Sequence, residues 1–503
     1  SQVAMQKILK KTKLFATIGP SSEKKDMMKK LFEAGMNVIR LNFSHGDHAE
    51  QLAKVVAAHE IEKEEGQLIG IDLDTKGPEI RTGRFVGKSV AIHEGDKIIL
   101  EMGTSDAKGN DKLGGRQADG SVVMGITYEG LYHDAKVGEH IRMDDGKLEM
   151  TVVSKDAKNK TLVCTARNAD VIKDERGVNC PDTHLSMPYV SEQDYKDLVF
   201  GCEQHVNYCS ASFVRNKQDI LDIRKIFHEH GGDDIKILSK IENTEALENI
   251  SDIIKLSDGI MVARGDMGVN IPAWDVPVVQ MKLVRECRKE GKPVIVATQM
   301  LDSMTHSPFP TRAEVTDVSF AVMESADAVM LSGESANGDY PFEAVSMQAN
   351  ICTRMEKELN YEELAREGFD NSDKDTSDAM ANAIVNAAAL TDAKMIFCFS
   401  GHGESAKRLS HCRPVCPTLF ITDNKVAAYD SILWWGVYPK LVKKLPTLTE
   451  ELEVAALHLA KTYDVPDQSM IIITGASPVG SADTNFMKLV KVDYSKLKSD
   501  LDL

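Results

Sequence analysis

The stretch ILSKIEN, residues 237–243, sets a lysine and a glutamate two positions apart inside an apolar run. A strand alternates its faces with period two, so Lys240 and Glu242 share one face while Ser239 and Ile241 take the other. A solvated ion pair on an edge strand would satisfy that pattern and would be worth only about 0.2–1 kcal/mol. Other apolar runs in the chain end in the same way, however. Arg40, Asn42 and Ser44 close one; Asp72 and Asp74 close the next and are followed by Thr75, Lys76, Glu79 and Arg81; Ser212, Arg264 with Asp266, Thr298, and Ser332 with Glu334 close others. Glu242 and Asp266 are hard oxygen ligands of the kind that suit Mg²⁺ or Mn²⁺. Arg40, Arg81 and Lys240 supply the positive charge that suits phosphate, with ion pairing to the same acids as the alternative for Arg81. In VARGDMGV, Gly265 and Gly268 free backbone N–H groups near a helix start, a natural place for a substrate carboxylate. Asn42, Ser44, Asp74 and Thr75 combine neutral oxygens with one carboxylate, a set fit for a monovalent cation and unsuited to a redox metal.

These side chains need a scaffold that brings strand ends together. Eight short apolar runs alternate with amphipathic stretches of helical length: residues 13–19, 36–43, 68–74, 206–214, 235–242, 259–266, 293–298 and 328–334. In SSEKKDMMKKLFEAG, Ser22 can cap a helix whose face is Met27, Met28, Leu31 and Phe32 and which Gly35 ends. Eight β/α units in series predict a closed (β/α)₈ TIM barrel, with its active site at the C-terminal ends of the strands. From about residue 80 to 185 the helical period is lost, and short strand-like pieces such as SVAIHEGDKIIL and TLVCTARNADVI are separated by Gly, Asp and Lys turns and by the polar loop GTSDAKGNDKLGGRQADG. The pattern predicts barrel segments at 1–79 and 186–352, a β-rich lid domain inserted at 80–185, and a C-terminal α/β domain at 353–503. That last region follows a charged linker, REGFDNSDKD, and offers the strands AKMIFCFS, CPTLFITD, SMIIITG and FMKLVKV.

Composition narrows the partners. With 503 residues and 42% hydrophobic content the chain can bury several cores. A formal net charge of −17 argues against a nucleic-acid backbone or an anionic membrane as principal partner, so an anionic ligand must meet a local cationic pocket. Nine scattered cysteines, an odd number without framework spacing, read as reduced thiols in a cytoplasmic protein. His411, Cys412 and Cys416 come nearest to a metal cluster but lack a second ligand pair of zinc spacing. The first residues carry basic charge without the apolar core or cleavage signal of a leader, and no 18-residue apolar run occurs.

The motifs FATIGPSS, VIRLNFSHG, IDLDTKGPEIRTG, ILSKIEN, MVARGDMGV, VIVATQMLDSM, PTRAEVTDV and DAVMLSGESANGDYPFEAV, in that order, resemble pyruvate kinase over almost the whole chain. The resemblance implies a barrel domain, an inserted lid, and a C-terminal domain carrying effector and subunit contacts in a homotetramer. It implies conversion of phosphoenolpyruvate and ADP to pyruvate and ATP, the last step of glycolysis, with Mg²⁺ (or Mn²⁺) and K⁺. By the same resemblance Glu242 and Asp266 would hold the divalent ion, and Lys240 would stabilise the phosphoryl group in flight and the enolate. Arg40 and Arg81 would face the transferring phosphate and, with Asn42, the nucleotide. Thr298 and Gly265 would bind around the substrate carboxylate, Thr298 also joining the proton relay to enolpyruvate. Asn42, Ser44, Asp74 and Thr75 would hold K⁺, with Ser212 nearby, and Glu79 matches the K⁺-requiring form.

The sequence also departs from the family pattern. Met267 and Asn270 replace the usual Leu and Glu beside Asp266, and Phe309 and Phe320 replace Arg and Asn in the segment that lines a subunit interface. SGHGESAKR, with Ser400, His402, Gly403 and Ser405, resembles the loop that binds a phosphorylated allosteric effector. Glu404 within it would repel phosphate, and Trp435 stands where some activated members place an arginine. No phosphohistidine-type domain is expected after Leu503. A different metal-dependent barrel, such as an aldolase, would share the acid pair and an enolate without needing the lid or the monovalent-cation set. A degenerate paralogue would show losses among Arg40, Lys240, Glu242, Asp266 or Thr298, and none is lost.

Overall fold

The computed structural model describes residues 9–103, 112–476 and 483–497. Eight parallel strands close a barrel: β1 Lys13–Thr17, β2 Val38–Asn42, β3 Gly70–Asp74, β4 Tyr208–Ala211, β5 Lys236–Ile241, β6 Gly259–Ala263, β7 Val294–Ala297 and β8 Ala328–Leu331. Each pairs with its neighbours in chain order, and β8 returns to β1. The strands are buried on both faces, which is why they read as unbroken apolar runs and not as alternating ones. In register, Asn42 lies beside Asp74 and Asp74 beside Ser210, so the polar residues of β2, β3 and β4 meet at one rim.

Several local expectations are corrected. The sixth run does not continue as a strand to Asp266: β6 stops at Ala263 and Arg264–Asn270 is a short helix, placing Asp266 in its first turn. The eighth likewise stops at Leu331, and Glu334 sits in the turn of helix Gly333–Ala336. Ser22 does not cap the first helix, which runs Lys25–Ala34 after Lys24; its hydroxyl instead accepts from the Gly19 amide at 3.2 Å. Met28, Leu31 and Phe32 are nevertheless the buried face, and Gly35 ends the helix at φ +132°.

Between β3 and β4, an eight-stranded sheet and a two-stranded ribbon form a separate core around Ile98, Leu100, Met124, Met143 and Leu162. The chain enters and leaves it through Ile80–Arg81 and Gly177–Asn179, which pair antiparallel. Residues 104–111 of the polar loop expected here lie outside the described residues.

The charged linker is half helix. Tyr361–Asp370 carries REGFD as its last turns, with Ala365 and Gly368 buried beneath the charges. A five-stranded sheet follows, and the sequence had suggested only four strands. The fifth, Val437–Leu441, contains Pro439, which a strand tolerates because it lies at the edge of the sheet. The underside of the barrel is tied to this region by buried hydrogen bonds. Tyr208 Oη donates toward Tyr429 O at 2.8 Å, Lys13 Nζ donates to Ile432 O at 2.6 Å, and Arg413 Nη2 meets Asp327 Oδ1 at 2.8 Å.

Candidate active site

At the C-terminal rim, Lys240 on β5 points its ammonium at Asp74 Oδ1, 2.9 Å away, with Glu242 Oε1 at 3.3 Å. Arg40 on β2 donates through Nε to Asp74 Oδ2 at 2.7 Å and through Nη1 to Thr17 Oγ1 at 2.8 Å. All four charged residues are buried. Burial opposes the charge of Lys240, but Asp74 and Glu242 outweigh it and hold the ammonium above the usual lysine range. Asp74 is held below the carboxylate range because Arg40 and Lys240 overcome its own burial. Asp72, one layer down and bonded to Ser210 Oγ, is pushed up to about 7 by burial and by Asp74.

Glu242 is pushed up to about 7, chiefly by burial, with Lys240 opposing and the Asp266 charge adding to the shift. Its Oε2 accepts from the Phe213 amide at 2.8 Å, whereas Oε1 is buried with the Lys240 ammonium 3.3 Å away and no hydrogen bond of good geometry. A buried carboxylate oxygen so weakly served, with the charge of a second acid acting on it, is what a divalent cation would satisfy, so the donor set fits Mg²⁺ or Mn²⁺.

The 264–270 helix carries the rest of the rim. Arg264 grips Asp317 with both terminal nitrogens, at 2.6 and 2.8 Å, and also donates to the carbonyls of Ala297 and Thr298. These bonds hold Thr298 at φ +75°, a conformation costly for a β-branched residue and sustained by its surroundings. The Gly265 amide donates to Thr298 Oγ1 at 2.7 Å, so here it orients the hydroxyl instead of standing free. Asn270 Nδ2 donates to Glu242 O at 2.7 Å and to Asp266 O at 2.9 Å, clamping together the two segments that carry the acids.

In the set expected to take a monovalent cation, Asn42 Oδ1 accepts from the Ser44 amide and Thr75 O accepts from Ser212 Oγ at 2.6 Å. Both Asp74 oxygens serve Lys240, Arg40 and Ser212. All are hard oxygens at one rim, which fits K⁺ in donor chemistry. Arg81 lies apart from the buried cluster, half exposed, bonded to Glu79 Oε2 at 3.1 Å and Glu175 O at 2.8 Å. It shares with Asp266 a cleft of about 210 Å³ between barrel and insertion, lined also by Glu79, Asp145, Arg215 and Asn270. From the insertion, Arg142 donates to Val269 O on the 264–270 helix.

Sequence reasoning singled out Asp74, Lys240, Glu242 and Asp266, which the fold brings together. It missed the Arg264–Asp317 fork and the clamp made by Asn270. Asp317 was present in PTRAEVTDV, but nothing in its spacing points across to Arg264.

In the C-terminal region, Ser400 to Gly403 link strand Ile396–Phe399 to helix Glu404–His411. Ser400 Oγ accepts from the His402 amide, and Ser405 Oγ accepts from Thr484 Oγ1 at 3.0 Å. Trp435 is wholly buried, its ring against the Arg413 guanidinium at 4.9 Å, so it belongs to the junction with the barrel and not to a ligand loop.

Comparison with known proteins accounts for nearly the whole chain. The family described as "Pyruvate kinase, barrel domain" matches residues 9–345, and "Pyruvate kinase, alpha/beta domain" matches residues 378–490. The chain is 42% identical over 485 residues to the pyruvate kinase of Lactobacillus delbrueckii subsp. bulgaricus, covering 96% of this chain and 80% of that one. It is 39% identical over 486 residues to the pyruvate kinase of Clostridium acetobutylicum, covering 96% and 100%. The crystal structure of a pyruvate kinase from Cryptosporidium parvum superposes with a TM-score of 0.88 at 33% identity, over 97% of both chains. A shared barrel, an ordered rim and full-length similarity therefore agree: the chain is a phosphotransferase that belongs to the pyruvate kinase family.

Proposed function

We propose that this enzyme moves the phosphoryl group of phosphoenolpyruvate to ADP, giving pyruvate and ATP as the last step of glycolysis in the cytoplasm. The observation that carries this reading is Lys240, a buried ammonium held charged between Asp74 and Glu242 at the barrel rim. Phosphoryl transfer asks a protein mainly for positioning and charge stabilisation. Lys240 would stabilise the phosphoryl oxygens in flight and the enolate oxygen left behind, with Arg40 and Arg81 orienting the phosphate and the nucleotide. A divalent ion on Glu242 and Asp266 would neutralise substrate oxygens, and K⁺ on Asn42, Ser44, Asp74 and Thr75 would add fixed positive charge. Thr298 Oγ1 already accepts the Gly265 amide, which leaves its own O–H to donate; the hydroxyl is thus poised to pass a proton to the methylene carbon of enolpyruvate.

The insertion at 80–185 would act as a lid. Its contact through Arg142 reaches the helix that carries Asp266, so closure and the acid pair are mechanically linked. Excluding water would direct the phosphoryl group to ADP and not to hydrolysis. Ser400, His402, Gly403 and Ser405 would take a phosphorylated effector. A homotetramer is supported by large apolar side chains left in the open, among them Trp274 at 79% and Phe309 at 73% exposure. Among the described residues no helix is long and apolar enough to cross a membrane.

The test is ATP formation from phosphoenolpyruvate and ADP with Mg²⁺, in buffer free of Na⁺ and K⁺, before and after adding K⁺. Activity that rises steeply with K⁺ is expected. Activity indifferent to K⁺ would remove the monovalent site, and none under any salt would remove the reaction.

A further inference from the structure

We infer that Arg215 is the pivot of the insertion: a positioning residue whose guanidinium ties the returning linker of the insertion to the barrel and so sets the angle at which the insertion stands over the catalytic cleft. The inference rests on the reading of the insertion as a lid in phosphoryl transfer.

The chain leaves the insertion through residues 180–190, once the pairing of Gly177 and Val178 with Arg81 and Ile80 has ended. Along that stretch the packing changes sides. Cys180, Leu185 and Met187 pack against the core of the insertion, whereas Tyr189 is buried in the barrel core and Val190 packs against it. Pro188 stands between them, a residue of fixed φ with no N–H to tie to either side. Just before Pro188 the backbone is held by Arg215, which follows β4 and donates through Nη1 to Leu185 O and Met187 O, both at 2.8 Å. The other edge of the guanidinium is clamped to the barrel: Nε meets Asp219 Oδ2 and Nη2 meets Asp219 Oδ1, both at 3.0 Å. Leu185 and Met187 therefore have their side chains in the insertion and their carbonyls on the barrel.

Only a guanidinium suits that position, because it serves a carboxylate with one edge and keeps a further nitrogen for the two carbonyls, where an ammonium is a single point of donation. The side chains of Arg215 and Asp219 are 13% and 3% exposed, so water competes little for these bonds. The other ties of this linker to the barrel, Thr244 Oγ1 to Pro181 O and the exposed pair His184–Glu248, lie farther from the crossover at Pro188. The entering linker is held by a longer bond, from the Gly77 amide to Asp194 Oδ1 at 3.3 Å. The pivot reaches the chemistry by two routes. Leu185, Met187 and Arg215 line the same cleft as Arg81 and Asp266. Tyr189, its ring 5.8 Å from the Arg215 guanidinium, donates to Ser212 O at 2.6 Å, and Ser212 Oγ lies 3.2 Å from Lys240 Nζ.

Two variants separate a pivot from a mere brace of helix Lys217–Glu229. Arg215→Lys keeps a cation beside Asp219 but cannot also span both carbonyls, and Arg215→Met loses both. Spin labels at the exposed positions Lys158→Cys in the insertion and Lys225→Cys on that helix read the angle of the insertion without substrate. The background is the full chain with Cys180→Ser, which replaces the cysteine that is not buried. The distance distribution is expected to broaden at least about twofold in both variants, although Arg215→Lys melts like the wild type. In the unlabelled enzyme the phosphate released per ATP formed from phosphoenolpyruvate and ADP should rise at least about tenfold in Arg215→Lys, with Mn²⁺ binding retained. An unchanged distribution in a folded Arg215→Lys, or a broadened one with an unchanged ratio of phosphate to ATP, would overturn the pivot. A wild type that forms no ATP would instead remove the reaction, and the label distances would still judge the pivot.

Discussion

At the residue scale the decisive feature is a buried lysine kept charged by the acids beside it, Asp74 and Glu242, against the effect of burial. Removing its ammonium while keeping the length of the side chain should separate chemistry from fold. Lys240→Met is expected to lower ATP formation by at least about 10²-fold, with the circular dichroism spectrum and Mn²⁺ binding retained. Turnover at the wild-type rate would sink the assigned role. This residue was legible from the sequence because period-two alternation puts Lys240 and Glu242 on one face whatever the rest of the fold does. Asn270 was not. Noticed only as a departure beside Asp266, it gains its meaning from a helix turn that brings its amide under the Asp266 carbonyl four residues back and the Glu242 carbonyl distant in sequence.

At the element scale the 264–270 helix is where the fold meets the chemistry. Its sequence, RGDMGVN, follows an apolar run without a break and therefore read as more strand. The helix is fixed from outside, by Arg264 on Asp317, by Asn270 on Glu242 and by Arg142 from the insertion. Asn270→Leu removes the clamp without touching either acid. It should weaken Mn²⁺ about 10-fold, read by electron paramagnetic resonance of free Mn²⁺ without substrate. Unchanged affinity would reduce Asn270 to packing. The Glu404–His411 helix offers a second test. His411 falls from 6.5 in the unfolded chain to about 3 in the fold, so between those values the unfolded state binds the extra proton. Stability is intact above pH 6.5 and is lost as pH falls toward 3. In phosphate-free buffer, His411→Gln should flatten the decline in urea midpoint between pH 7 and pH 5; a decline as steep as in the wild type would show that other groups govern it. The buried barrel strands were readable because both of their faces are apolar. The helix at 361–370 was not, because its charged outer face hides the small residues Ala365 and Gly368 that it buries.

At the scale of the whole molecule, a chain with such a complete interior still leaves large apolar groups in water. Trp274, Val278, Met281, Phe309, Phe320 and Met323 are all exposed on the segments that follow β6 and β7, where helix Val276–Glu290 and the end of helix Arg312–Met323 are joined by Gln280 and Glu324 at 2.7 Å. Single exposed apolar residues are ordinary, but several large ones on neighbouring segments are grounds for proposing a contact surface. Phe309 and Phe320 stand out in the sequence as replacements for polar residues; in the fold Phe320 lies on helix Arg312–Met323, whose end meets helix Val276–Glu290 through Glu324 and Gln280, and Phe309 lies in the turn before it. Leu390, 88% exposed on helix Thr376–Thr391, lies in the C-terminal region and gives a second, separate apolar point. The proposed tetramer, if of dihedral symmetry, would need two distinct self-complementary faces on the chain, and losing one would leave a dimer held by the other. Charging the barrel face with Trp274→Glu and Phe309→Glu should therefore halve the particle mass in sedimentation without altering the circular dichroism spectrum. An unchanged mass would place the contact elsewhere, and a wild type already monomeric at micromolar concentration would dismiss the tetramer altogether.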